Sequence, residues 1–79
     1  MKNEQKYIDC FIKSLSIDKK IVNKKLKYND IPEWDSIGHM TLMSSLEDSF
    51  GITLETDDIV DFSSYEKGKK ILSKYKINF

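Results

Sequence analysis

Residues 34 to 50 read WDSIGHMTLMSSLEDSF, and the fold turns on how this stretch is read. Wound at about 100° per residue, it gathers Leu42, Leu46, Phe50, Met43 and His39 on one side, with Ile37, Ser44 and Asp48 on the other. Met40 and Glu47 lie at the border, nearer the outer side, with Ser36 beside them. Either side chain of Asp35-Ser36 can cap the helix start, and Gly51 is the usual stop. The stretch predicts an amphipathic helix that leaves two large apolar residues, Ile37 and Met40, facing outward beside a serine at its first turn.

Upstream, Tyr7, Ile8, Phe11, Ile12 and Leu15 recur at one-face helical spacing with Cys10 beside them, which predicts a helix over 3–15. From Ser16 to Trp34 the periodicity fades, and Ile17, Ile21, Leu26, Ile31 and Trp34 stand as isolated apolar anchors of a long packed loop with room for a short turn. Loops of this length are uncommon in compact domains and are often functional. Pro32 keeps Ile31 out of helical geometry.

Downstream, TLETDDIVDF predicts a loop and a short acidic helix over 56–61, anchored by Ile59 and Phe62. Ser63-Ser64 offers the next cap, with Ser63 and Glu66 at capping-box spacing. A last helix then runs to about Tyr75 with Ile71, Leu72 and Tyr75 inward. The expected fold is all-α: a small four-helix bundle of three main helices and a short third one, with a long first loop, in a single domain over 1–79.

A chain of 79 residues buries only about 60% of its unfolded surface, which leaves little room for elaborate catalytic machinery. Cys10 is the sole cysteine, so neither an internal disulfide nor a zinc site of several cysteines is available, and a reducing cytoplasm fits best. No apolar run approaches the roughly 18 residues of a membrane span, and the opening MKNEQK is unlike a secretory signal. A soluble, cytoplasmic monomer is expected.

The zero net charge hides strong segregation in a chain without arginine. Residues 1–28 hold eight lysines against three acids. Residues 29–66 hold ten acids and no lysine, and residues 67–79 hold five lysines and no acid. Such a block creates a local field that attracts basic surfaces even from a neutral molecule.

Two sharper readings compete. Asp35, Ser36 and His39 suggest a hydrolytic triad, but helical phase turns His39 toward the core, and a domain this small offers no evident oxyanion pocket. Lys19, Lys20, Lys24, Lys25 and Lys27 suggest a small DNA-binding helical domain. Against it stand the missing arginines, the lack of a recognition helix after the run and the acidic centre, so no nucleic-acid partner is expected. Cys10 reads as core. Gly68, costly within a helix, marks either a close helix approach, room for a bound chain, or a tolerated surface position.

Asp35-Ser36 in register with Leu42, Leu46, Glu47 and Phe50, and the string LEDSFGI, resembles the acyl carrier protein family over the whole chain, including the order of elements. The resemblance implies that Ser36 takes a 4′-phosphopantetheine group from coenzyme A through a separate phosphopantetheinyl transferase, that Asp35 assists that enzyme, and that the chain itself is not an enzyme. The arm's thiol would carry acyl or aminoacyl groups as thioesters between enzymes of a biosynthetic pathway. A phosphodiester on Ser36 would suit a helix N-terminus. Ile37 and Met40 would then be the apolar centre of a docking surface rimmed by Asp35, Glu47 and Asp48, with Asp57 and Asp58 as further partner-binding acids, facing enzymes with basic patches. Neither a metal site nor a membrane contact is implied.

Carriers of bulk fatty acid synthesis are usually strongly acidic, and commonly have acids where Gly38 and Thr41 stand here and a small residue in place of Trp34. WDSIGHM looks more like discrete carriers of specialised pathways, with housekeeping fatty acid synthesis as the alternative.

Overall fold

The structure is a computed structural model that describes residues 2–79. Four α-helices follow one another as α1 (Lys2–Leu15), α2 (Ser36–Phe50), α3 (Thr56–Asp61) and α4 (Tyr65–Ser73), with a 3₁₀ turn at Lys19–Ile21. Among the described residues there is no named strand, only an isolated antiparallel bridge between Lys27 and Ser64. No helix among them is long and apolar enough to cross a membrane.

The expected periodicities build one core. Tyr7, Cys10, Phe11 and Leu15 come from α1, Leu42, Met43 and Leu46 from α2, and Tyr65, Ile71 and Leu72 from α4. Ile8, Ile12 and Phe50, expected inward, are half-buried at its edge. The long connection contributes Ile17, Leu26 and Trp34 to the interior, and Ile21 and Ile31 pack at its margin. Leu54 and Ile77 are buried as well, although no helical period marks them. The interior around the loop is aromatic: the Phe11 ring meets Tyr7 edge-on at 5.1 Å and Trp34 at 5.3 Å.

Helix ends follow from local chemistry. Asp35, in extended conformation, caps α2 by accepting from the Gly38 amide at 2.8 Å, and Gly51 ends the helix in the left-handed region at φ 64. For α4 the cap is Ser64, whose Oγ accepts from the Lys67 amide. The Ser63–Glu66 box does not form; the carbonyl of Ser63 instead accepts from the amide of Tyr28 at 2.9 Å. The helix also ends earlier than expected, at Ser73, where a turn over Lys74–Lys76 begins.

Gly68 resolves to close approach. A Cβ there would stand 2.2 Å from both Phe62 Cζ and Tyr7 Oη, so only glycine lets α4 lie against those two rings.

Candidate functional site

Ser36 is the first residue of α2 and is exposed, and its side chain takes no part in capping, which Asp35 provides. Its Oγ lies 3.2 Å from the hydroxyl of Tyr28, which reaches over from the long loop. One turn of α2 carries three neighbours with distinct fates. Ile37 is 80% exposed and Met40 55% exposed, as helical phase requires, while His39 turns inward.

The His39 ring is fully engaged. An indole N–H can only donate, so the 3.0 Å bond from Trp34 Nε1 makes His39 Nδ1 the acceptor and places the ring proton on Nε2. That nitrogen then donates to the carbonyl of Ile59 at 2.8 Å. Neither nitrogen is left to take a proton from Ser36, and the serine faces a tyrosine hydroxyl instead of a base. The geometry of a hydrolytic triad is therefore not present.

Beside Ser36 opens a groove of about 370 Å³ between α2, α3 and the loop, lined by Tyr28, His39, Met40, Ile59, Val60, Phe62 and Ser63. Ser36 stands on its lip. The wall includes Val60, 75% exposed, which sequence reasoning did not single out. Its signal was helical phase: at about 100° per residue Val60 lies roughly 200° from the expected anchor Phe62, on the opposite side of the segment. Tyr28 was also missed, since an isolated aromatic residue in an aperiodic loop has no pattern to betray it.

The acidic rim is smaller than the sequence suggested. Asp48 and Asp57 are exposed, as is Asp35. Asp58 is not available: only 5% exposed, it lies 2.5 Å from Lys74 Nζ and accepts from the Tyr75 hydroxyl at 2.6 Å. Those two hydrogen bonds, Lys74 first, hold its carboxyl below the ordinary aspartate range. Asp58 ties α3 to the end of α4, and the expectation that it forms part of a docking rim is corrected. Glu47 is half-buried, and its Oε2 accepts from the Leu54 amide at 2.8 Å, pinning the connection between α2 and α3. It too serves the fold first.

Gly38 has a local cause. A Cβ at this position would come 2.1 Å from the backbone oxygen of Glu33, so the crossing of the loop over α2 excludes every side chain, acidic or not. The lysines of the run 19–27 are exposed on the 3₁₀ turn and irregular loop, and no helix long enough to read a groove of DNA carries them. Cys10 is buried, with Sγ 3.3 Å from Ser49 Oγ. Among the described residues no three His, Cys, Asp or Glu side chains gather as a metal site.

No protein-family model, curated protein or solved structure matches this chain. The fold and site define a small all-helical protein with an exposed serine at a helix start, beside an apolar groove and two exposed apolar side chains.

Proposed function

We propose that the chain is a carrier of acyl carrier protein type, of four-helix-bundle form, modified on Ser36 with 4′-phosphopantetheine. The observation that carries this reading is the placement of Ser36, exposed at the first turn of α2 on the lip of the groove. In the modification, Ser36 Oγ attacks the phosphorus of coenzyme A that bears the pantetheine arm. The new O–P bond forms as the bond to the second phosphate breaks, adenosine 3′,5′-bisphosphate leaves, and the serine proton passes to the transferase. The exposed Asp35 carboxylate serves that enzyme and its metal ion, while Asp35 Oδ1 continues to cap α2. The chain itself catalyses nothing; it works in the cytoplasm as a monomer that partner enzymes load and unload, with no nucleic acid or membrane involved.

Exposed Ile37 and Met40 support an apolar contact around the serine, with Asp48 and Asp57 as the free acids nearby in sequence. A pathway of specialised biosynthesis is favoured by the neutral charge and by Trp34, which is fully buried and bonded to His39. Gly38 no longer bears on that choice, because its cause is steric.

The test is incubation with coenzyme A, magnesium and a broad-specificity phosphopantetheinyl transferase. Intact mass should rise by one phosphopantetheine, and Ser36→Ala should abolish the gain. An unchanged mass of the folded wild-type protein overturns the reading. Efficient elongation of a malonyl-loaded form by housekeeping synthase enzymes would instead assign the carrier to fatty acid synthesis.

A further inference from the structure

Tyr28 is fixed on several sides. Its amide donates to Ser63 at 2.9 Å, and the next residue, Asn29, sits at φ 70 with its own amide bonded to the Trp34 carbonyl. Its ring meets His39 edge-on at 5.4 Å and Trp34 at 6.1 Å. His39 and Trp34 are bonded to one another, so both surfaces that hold the ring are themselves locked. The hydroxyl is the free end of this assembly, and it stands 3.2 Å from Ser36 Oγ.

At the first turn of α2 only the amides of Ser36 and Ile37 remain to meet an anion beside the Tyr28 hydroxyl. The Gly38 amide is taken by the Asp35 side chain and the His39 amide by the Asp35 carbonyl. When Ser36 Oγ becomes an ester oxygen it loses its proton and most of its power as an acceptor. The negative charge then lies on the two non-bridging phosphate oxygens, one bond further out. A donor already in contact with Oγ is within reach of one of them, and a hydrogen bond to a charged oxygen is stronger than one between two neutral hydroxyls.

We infer that Tyr28 is a positioning residue for the modified serine: its hydroxyl orients Ser36 Oγ before the transfer and donates to a non-bridging phosphodiester oxygen afterwards. This rests on the reading of Ser36 as the attachment site. The consequence is directional. With one phosphate oxygen held on the loop side, the arm leaves the phosphate over the groove that Tyr28 also lines.

Tyr28→Phe is the test, since it keeps the ring packed against Trp34 and His39 and removes only the hydroxyl. Melting temperature and far-ultraviolet circular dichroism should stay at wild-type values. The rate of phosphopantetheine transfer should fall roughly two- to tenfold, the span of one lost hydrogen bond, and the loss should lie in kcat with KM for the carrier unchanged. In the fully modified proteins the phosphorus-31 resonance should differ between wild type and Tyr28→Phe, a signal that a purely structural tyrosine would not move. Equal kcat together with an identical phosphorus resonance overturns this inference and leaves the attachment site standing. Wild-type protein that accepts no phosphopantetheine overturns both.

Discussion

The indole N–H of Trp34 ends on Nδ1 of His39 at 3.0 Å, and this bond joins the last residues of the long loop to the first turn of α2. Because His39 Nε2 continues to the Ile59 carbonyl, loop, α2 and α3 are stitched through a single imidazole. His39→Ala should strand a buried indole donor and cost about 1–3 kcal/mol of stability. Urea denaturation followed by Trp34 fluorescence measures this directly. Wild-type stability in the variant would show that the stitch contributes nothing.

Gly68→Ala should be destabilising by about 1–3 kcal/mol, because the added methyl meets Phe62 and Tyr7 at 2.2 Å and rigid rings must move. The same reasoning applies to Gly38→Asp, where the obstacle is the Glu33 backbone oxygen. Placing an acid at that position should therefore loosen the start of α2. Thermal melting of both variants tests the pair, and an unshifted midpoint for Gly38→Asp contradicts the steric account.

Acid should unfasten α3. The Asp58 carboxyl is held below its ordinary value of 3.8 by Lys74 and Tyr75, so its contribution is present above that pH in the folded protein and is lost as pH falls through the lowered value. Lys74 is shifted the other way, upward from 10.5 by the same partner, so its share is present below that pH and disappears as pH rises through the raised value. Glu4, lowered by Lys69 and Tyr65, loses its share in acid too. Melting temperature followed from pH 6 to pH 2, on the order of the ordinary carboxylate range and below, should fall less steeply in Asp58→Asn than in wild type. Parallel curves would remove Asp58 from the list of acid-sensitive contacts.

On the proposed carrier reading, docking and folding should separate at neighbouring positions of α2. Ile37→Ala should leave stability within about 0.5 kcal/mol, because the side chain is 80% exposed, yet slow loading by partner enzymes. Asp48→Lys should lower association rates most at low ionic strength and leave melting unchanged. Glu47→Lys should do both, since it removes the acceptor of the Leu54 amide. Stopped-flow binding and calorimetry on the three variants distinguish these outcomes; a collapse of Ile37→Ala on heating would place Ile37 in the core.

Periodicity made the helices legible, since Leu42, Met43 and Leu46, or Tyr7, Cys10 and Phe11, declare a buried face without any tertiary knowledge. The exposed pair Ile37 and Met40 was readable for the same reason. What stayed hidden depends on residues that meet only after folding. An aspartate in an acidic helix reads as solvated until the turn after α4 brings Lys74 and Tyr75 over it. Tyr28 acquires its place beside Ser36 only through the turn of the loop at Asn29 and the bridge to Ser64. Gly68 could be suspected as a close approach and Gly38 could not, because the atoms that exclude a side chain at each come from elsewhere in the chain.

α3 spans six residues, too few to persist as an isolated helix, and is fastened at the Ile59 carbonyl, at Asp58 and by its packing. Breaking those few fastenings should cost less than melting the core, so amide hydrogens of residues 56–61 should exchange through local opening before those of Leu42, Met43 and Leu46, which hydrogen exchange measures. The groove beside Ser36 is thus bounded on one side by the core and on the other by a short helix that should open before the core does.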